Sequence, residues 1–440
     1  MKTSQPANLP AWLAHIERQH VQPIALGLDR VREVSRRLAQ RQTCPVILVG
    51  GTNGKGSTCA MLERILLCAG YRVGLYTSPH LVDYNERVRI DGQPVDDAAL
   101  CEGFARVEAA RGDVPLTYFE YGTLAAWEVF ATQPLDAIIL EVGLGGRLDA
   151  TNIYEPDVAI VTSVDLDHMD YLGATREAIG FEKAGIFRAG KPAICGDANP
   201  PASLVEHCRT ASAVPGDTAT HNFLLIGRDF GYERQEGQWQ YWGRVGRRSG
   251  LAWPALRGAI QLANASCVLA ALDALRDRLP VAMQDIRRGL LEVELPGRFQ
   301  VLPGRPTLVL DVAHNPQAAR VLADNLGGMA FHPVTWAVFG MLRDKDISGV
   351  IGAVKARVDV WLPCTLEGPR AASADFLAAA LEAAGCRVGG RFATPVHALQ
   401  HAQAGAGEDD RILAFGSFLT VAEVLRARAP QRMANGENFD

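Results

Sequence analysis

The apolar positions of this chain alternate between two textures. Short, largely apolar runs at 46–49, 137–142 and 158–164 read as strands buried in a parallel sheet, and 72–76 reads as a further strand. Between and around them lie segments of helical period at 11–18, 28–38, 59–69, 98–110 and 118–130, the second carrying Leu28, Val31, Val34 and Leu38 on one face. The first two of these helices are expected to cover one face of the sheet. The polar stretch 77–92 is expected to be a long loop of the kind that serves a ligand. Strands alternating with helices predict a doubly wound, mainly parallel α/β sheet, with ligands at the carboxyl ends of its strands.

From 223 to 253 the pattern shortens into aromatic and polar-interleaved runs broken by Gly227, Gly231, Gly237, Gly243 and Gly246, predicting antiparallel hairpins appended to the first domain. Helical patterns follow at 261–275 and 286–291. Pro296-Gly297 then interrupts two well-patterned regions, so the domain boundary is placed there, with a first domain at 1–296 and a second at 297–440. In the second, apolar strands at 307–312, 334–339, 358–362 and 412–415 separated by Ala-rich helices predict a smaller Rossmann-like α/β domain. The polar residues from Pro430 onward are expected to form a mobile tail. No long internal repeat or low-complexity tract occurs.

Length and composition set bounds on this picture. With 440 residues the chain exceeds what one core serves, since domains cluster at roughly 100–200 residues. Its 48% hydrophobic and 21% charged residues suit a soluble globular enzyme. A net charge of -5 argues against a general nucleic-acid surface. Residues 1–20 lack a signal-length apolar stretch, and no run of about 18 uninterrupted apolar residues suggests a membrane span. The nine cysteines form no C-x-x-C pair and no metal-ligand spacing, and read as reduced thiols of a cytoplasmic protein.

Candidate chemistry begins with Gly50-Gly51-Thr52-Asn53-Gly54-Lys55-Gly56-Ser57-Thr58, which joins the run 46–49 to the helix that follows. Glycines let backbone N–H groups approach a polyphosphate, and the helix presents its positive end to the same charge. Lys55 supplies a cation for the outer phosphates, and Ser57 or Thr58 offers a hydroxyl to Mg²⁺. The spacing departs from the common phosphate loop, because Gly56 separates the lysine from the first hydroxyl and no glycine stands at position 49. The bland alternative is a turn that only packs strand on helix. Glu141, at a strand end leading into Gly143, Gly145 and Gly146, is the leading metal carboxylate, against the reading of an ordinary strand-end acid. His168, taken alone, suits a packed or solvated histidine as well as a ligand. Lys183, by its surroundings in sequence, reads as an exposed helix lysine.

The chain resembles the folylpolyglutamate synthase and dihydrofolate synthase family of Mur-type amide ligases. The resemblance is carried by Gly51 to Ser57, Tyr76-Thr77-Ser78-Pro79-His80-Leu81, Glu141 to Asn152, Asp167-His168, Phe181 to Ile186 and Asp311-Val312-Ala313-His314-Asn315-Pro316. These blocks span most of the chain in the expected order, and the displaced hydroxyl after Lys55 matches the family's own loop. The resemblance implies a first domain like the Mur ligase central domain that binds ATP, a second α/β domain, and a ligand cleft between them. Carried over, Gly51, Thr52, Asn53, Gly54, Lys55, Gly56, Ser57 and Thr58 cradle the phosphates, with Asn264 near adenine, Arg298 on the triphosphate and Asp311 on the ribose. Ser78, Glu141, His168 and a carbamylated Lys183, with Ser57, would hold Mg²⁺, two ions being expected. His314 looks catalytically placed.

The implied reaction joins L-glutamate to dihydropteroate and to reduced folates with ATP, through an acyl phosphate. The block from Gly145 to Asn152 is closer to bifunctional bacterial members than to those restricted to polyglutamylation. There, Gly27, Leu28, Pro79, Phe119, Asp149 and Ala150 would line a pterin pocket, and Arg87 and Ser417 join the substrate residues. Phe119 suits a core aromatic equally, and Asp149 suits a cap of the following turn. No nucleic-acid or membrane partner is expected, and the protein is expected to act as a monomer. Two rivals sharing parts of the machinery are a peptidoglycan-precursor Mur ligase and a non-ligating phosphate-loop NTPase. The first normally has a domain before its phosphate loop, which here would need roughly 100 residues where fewer than that precede Gly50. A folylpolyglutamate synthase without the dihydropteroate activity is the nearest alternative, and a pure binding module is the weakest.

Overall fold

The computed structural model describes residues 5–22, 24–38, 42–211 and 222–434. The chain forms two compact units. One contains the chain up to Pro79 together with Asn85–Ala255 and Gln261–Val293; the other contains His80–Tyr84, Leu256–Ile260 and the chain from Glu294.

The first unit opens with helices α1 (Leu9–Glu17) and α2 (Asp29–Leu38), then β1 (Val46–Gly50), α3 (Lys55–Cys68), β2 (Val73–Tyr76), β3 (Val88–Ile90), β4 (Gln93–Pro94), α4 (Asp97–Arg111) and α5 (Tyr118–Ala131). It continues through β5 (Ala137–Glu141), β6 (Val158–Val161), α6 (Met169–Leu172), α7 (Arg176–Ala184), β7 (Ala193–Cys195), α8 (Ala202–Ala211) and β8 (Phe223–Leu225). Strands β9 (Gly231–Gln235), β10 (Gln238–Gly243) and β11 (Gly246–Leu251) precede α9 (Ile260–Ala274) and α10 (Met283–Glu292). The eight-stranded sheet has the order β4-β3-β2-β5-β1-β6-β7-β8. It is parallel from β2 to β8 and antiparallel only at the β2-β3-β4 edge. Every residue of β1, β5 and β6 is buried, as their apolar sequences favour, and Glu141 at the end of β5 is buried with them.

Four sequence expectations are corrected here. Helices α1 and α2 pack chiefly on α4 and α5 rather than on the sheet, because α5 is itself buried along most of its length and needs a second layer. The stretch 77–92 is not all loop: a 3₁₀ turn at Tyr84–Arg87 leads into β3, whose Val88 is buried beside Tyr76. Of the run 223–253, β8 extends the main sheet in parallel, and only β9, β10 and β11 form the antiparallel meander. The polar tail expected from Pro430 is helical through Ala434 as the end of α15 (Phe418–Ala434), and 435–440 lie outside the described residues.

The second unit has a five-stranded sheet of β12 (Gln300–Leu302), β13 (Thr307–Asp311), β14 (Thr335–Phe339), β15 (Val360–Pro363) and β16 (Arg411–Phe415), in the order β12-β13-β16-β14-β15. Only the β12-β13 pair is antiparallel. The period of two sorts its side chains cleanly. Val309, Ala337, Phe339, Trp361, Leu413 and Phe415 face a core shared with α11 (Pro316–Gly327), α12 (Ile347–Val354) and α13 (Ala374–Ala383). Leu308, Leu310, Val338, Leu362, Ile412 and Ala414 face a core shared with α14 (Pro395–Gly405) and α15. Helix α11 starts sharply because Asn315 accepts the Ala318 N–H and Pro316 fills the first turn. The segments His80–Tyr84 and Leu256–Ile260 join this unit through local contacts: Leu81 packs on the second core and the Arg426 guanidinium donates to the Val82 carbonyl at 2.8 Å.

Candidate active site

Strand β1 ends in a loop whose shape is set by two glycines. Gly51 has φ +140°, and a Cβ there would sit 1.9 Å from Thr162 Oγ1; Gly54 has φ +90°, and a Cβ would meet Asn264 Oδ1 at 2.6 Å. Both positions therefore exclude a side chain on conformation and on space. The end of β6 holds the loop from beneath. The Thr52 N–H donates to the Ser163 carbonyl at 2.8 Å. Thr162 donates its hydroxyl to the Asn53 carbonyl at 2.7 Å, and the Asn53 N–H donates to Ser163 Oγ at 3.1 Å. Thr52 Oγ1 donates to the Asp165 carbonyl at 3.1 Å and accepts the Asp165 N–H at 3.0 Å. Thr162 and Ser163 escaped the sequence reading, since a hydroxyl pair after an apolar run carries no distinctive spacing.

Helix α3 begins at Lys55, earlier than its apolar period indicates, so Lys55, Gly56, Ser57 and Thr58 form its first turn. Lys55 Nζ folds back onto the Gly51 and Thr52 carbonyls at 3.0 and 3.2 Å. Ser57 and Thr58 are buried, and Thr58 Oγ1 has no partner. From α9, Gln261 Nε2 donates to Ser57 Oγ at 3.4 Å, and Asn264 donates to Gln261 Oε1 at 2.9 Å. Gln261 thus links two residues that the sequence singled out, and was itself missed.

Strand β5 ends at Glu141, which is buried and accepts the Ser78 N–H on Oε2 at 3.1 Å. His168 stands at φ +51° ahead of α6, with Nε2 3.9 Å from Asp167 Oδ1. Lys183, on α7, is 4% exposed, which overturns the exposed lysine its sequence surroundings suggest. Burial, and then the charge of Lys55, lower its pKa to about 7, while Asp167 and Asp149 oppose the shift. Lys55, Lys183, Asp149 and Asp167 thus act on one electrostatic neighbourhood. Among the described residues no three His, Cys, Asp or Glu side chains come together as a metal site. Glu141, His168 and the Ser78 hydroxyl are donor types that suit a hard cation keeping phosphate or water in its remaining positions.

Phe119, Gly27, Asp149 and Ala150 of the candidate pterin residues lie on or against the loop after β5. Phe119 lies against Gly143, where a Cβ would meet its ring at 2.5 Å, and its ring is 6.0 Å from that of Tyr76. The Gly27 N–H donates to the Leu148 carbonyl at 3.4 Å, and Leu28 and Ala150 are buried. Asp149 is buried with both oxygens committed to its own loop: Oδ1 accepts from Thr151 N at 3.0 Å and Oγ1 at 2.6 Å, and Oδ2 accepts the Leu144 N–H at 2.9 Å. Burial raises its pKa while these bonds oppose the rise. The capping role is therefore present in full. Arg87 is buried with its guanidinium 5.6 Å from the Tyr118 ring centre, and the Ser78-Pro79 peptide is cis.

In the second unit, Asp311 ends β13. Its oxygens accept the Phe299 N–H at 2.9 Å and the Ala313 N–H at 2.7 Å, and burial pushes its pKa up against the pull of Arg298 and His314. His314 Nδ1 is 2.9 Å from the Val312 carbonyl. Ser417, after β16, accepts the Leu419 N–H at 3.2 Å. Phe418, which the sequence reading missed, has its ring centre 4.9 Å from the Arg298 guanidinium and 6.1 Å from the His314 ring.

Comparison with known proteins identifies two family domains in the chain. The family profile for the Mur ligase middle domain matches residues 49–207, and that for the Mur ligase glutamate ligase domain matches 297–418. The chain is 45% identical over 426 residues to the dihydrofolate synthase/folylpolyglutamate synthase of Escherichia coli, covering 96% of each chain. The solved structure of E. coli FolC in complex with DHPP and ADP superposes with a TM-score of 0.90 at 44% identity, covering 98% of this chain and 100% of that one. The Yersinia pestis bifunctional folylpolyglutamate synthase/dihydrofolate synthase complexed with AMPPNP and Mn ion gives 0.88 at 45% identity, covering 97% and 99%.

Proposed function

The chain belongs to the dihydrofolate synthase/folylpolyglutamate synthase family of Mur ligases, and on that premise we propose that it is an ATP-dependent ligase joining L-glutamate to dihydropteroate and to reduced folates. The observation that carries this reading is the end-to-end similarity to the E. coli bifunctional enzyme. We take 1–296 as the ATP-binding domain with the pterin pocket and 297–440 as the glutamate ligase domain. We place the enzyme in the cytoplasm as a monomer; among the described residues no cysteine is in a disulfide, and no helix is long and apolar enough to cross a membrane.

In the first step a carboxylate oxygen of the pterin substrate attacks the γ-phosphorus of ATP. The bond to the β-γ bridging oxygen breaks, ADP leaves, and an acyl phosphate remains. The amine of L-glutamate then attacks the acyl carbon, phosphate departs, and the amine proton is lost to base. Such chemistry asks chiefly for positioning and charge neutralisation. Lys55 would exchange its two loop carbonyls for the outer phosphates, while loop N–H groups other than those of Thr52, Asn53 and Thr58, which are already bonded, would surround the rest. Gln261 would keep Asn264 set for the adenine and Ser57 set for the phosphates. Asp311 would take the ribose, Arg298 the triphosphate, and His314 and Ser417 the incoming amino acid.

Magnesium, two ions when loaded, would neutralise phosphate charge, held by Ser57, Ser78, Glu141, His168 and a carbamate on Lys183. The carbamate is chemically favoured here: only a neutral amine adds to CO₂, and a pKa of about 7 leaves about half of the Lys183 side chains neutral at pH 7. The carbamate anion would also relieve the repulsion between the buried Lys183 and the half-buried Lys55. Asp149 and Phe119 would bind the pterin ring, the carboxylate by accepting paired N–H groups and the aromatic by stacking.

Trapping tests the reading. With ATP and dihydropteroate but no glutamate, hydroxylamine should yield the dihydropteroate hydroxamate, and glutamate should suppress it while releasing ADP. ATP hydrolysis indifferent to both substrates would make the protein a simple NTPase.

A further inference from the structure

The second unit contains one aromatic ring that touches two of the proposed ATP and glutamate residues and has no role in the chemistry itself. Phe418 is the first residue of α15, and the chain around it is tightly fixed. Gly416 has φ +107°, and a Cβ there would lie 2.5 Å from the Gly340 carbonyl. The Thr420 hydroxyl donates to that same carbonyl at 2.9 Å, and the Val421 N–H donates to the Ser417 carbonyl at 3.3 Å. The Phe418 ring packs on the core that includes Leu310, Val312 and Val421. It is therefore a rigid surface rather than a mobile side chain.

On that surface sit groups from two other segments. The Arg298 guanidinium, ahead of β12, is 4.9 Å from the ring centre. The His314 ring, between β13 and α11, is 6.1 Å away at an angle of 53°. Asp311 feels the charge of both. Arg298 precedes Phe299, whose φ of +45° is a backbone conformation that non-glycine residues rarely adopt. The Phe299 N–H is held by Asp311 at 2.9 Å. The backbone beside Arg298 is thus fixed by Asp311, while the guanidinium at the far end of a long side chain meets Phe418. An arginine has many rotamers to lose on binding phosphate, and a ring that favours one of them lowers that cost beforehand.

We propose that Phe418 is a positioning residue for ligation, holding the Arg298 guanidinium, with His314 at its flank, ready for the triphosphate. This rests on the reading of Arg298 as a phosphate ligand. Phe418 acts through the π face: leucine at this position keeps apolar volume and loses the attraction, whereas tyrosine and tryptophan retain it.

The test is steady-state ligation with ATP as the varied substrate, on wild type, F418L, F418Y, R298A and the F418L/R298A double variant, with Tm measured for each. We expect R298A to cause the largest loss in kcat/KM for ATP, F418L a loss of about tenfold, F418Y near wild-type values, and the double variant no further loss beyond R298A. Purely structural packing would instead give losses that multiply in the double variant and follow Tm, and that result overturns the inference. So does F418L within twofold of wild type while R298A is crippled, an outcome that leaves the Arg298 reading standing. A near-normal R298A removes that reading and this inference together. Should F418L not fold, F418M takes its place in the cycle, and an F418Y as impaired as R298A overturns the proposal independently.

Discussion

Both units place candidate chemistry where parallel strands end, but they prepare it by different means. At the ends of β1 and β6 the first sheet offers backbone: a loop with two glycines at positive φ, clamped by hydroxyls from Thr162 and Ser163. At the ends of β13 and β16 the second sheet offers side chains: Asp311 tied to two N–H groups, His314 on the Val312 carbonyl, and Phe418 between Arg298 and His314. A backbone cradle tolerates little change, because its conformation and its clearance fail together. A cluster of side chains shares its task among several groups. Substitutions at the first site are therefore expected to approach all-or-none effects, and those at the second to be graded.

The largest effect is expected at Lys55. Lys55→Ala should lower kcat/KM for ATP about a thousandfold with Tm close to wild type, because Thr162 and Ser163 still clamp the loop when the lysine's two carbonyl bonds are lost. Retained turnover would remove the phosphate-loop assignment.

Lys183 comes next. Lys183→Ala should lower ligation about a hundredfold, and a short-chain carboxylic acid should restore part of it by replacing the carbamate anion. The same residue gives a pH signature in metal-free, CO₂-free buffer. Its pKa is about 7 when folded and near the ordinary lysine value of 10.5 when unfolded. Between those values the unfolded chain binds more protons, so stability rises with pH across that window and this contribution is flat below it. A denaturation series from pH 6 to 10 should show the slope in wild type and lose it in Lys183→Met.

Asp311→Asn probes the graded site. The amide keeps one acceptor and loses part of the support under Phe299, so kcat/KM for ATP should fall about tenfold, far less than in Lys55→Ala. Equal losses would erase the contrast between the two sites.

The smallest expected effect is a change of ratio. Asp149→Ala should reduce dihydrofolate synthesis severalfold more than glutamylation of a reduced folate, since the longer substrate has further contacts to hold it. Because Asp149 also caps the turn at Ala150–Ile153, a purely structural role would lower both activities equally together with Tm.

The same contrast explains what was legible in the sequence. Largely apolar runs announced β1, β5 and β6, and the glycine spacing announced the loop, because each has a conformational reason that few other residues satisfy. The strand β3 was hidden, since it is short, partly polar and paired at a sheet edge. Residues His80–Tyr84 join the second unit through contacts that no local pattern encodes. At the site, Lys183 illustrates the limit most clearly. Its helix has polar neighbours in sequence, yet the packing of α7 buries it beside Lys55. Gln261 and Phe418 were missed for a related reason: a glutamine at a helix start and a phenylalanine after a strand have many ordinary uses, and only their partners in space set these two apart.

The most direct test of a single bifunctional ligase is the wild-type protein assayed side by side on dihydropteroate and on a reduced folate, each with ATP, magnesium and L-glutamate. Product mass and ADP release are the readouts. The expected result is one glutamate added to each acceptor, glutamate-dependent ADP release with both, and competition between the acceptors. Glutamylation of the reduced folate with dihydropteroate left untouched would contradict it.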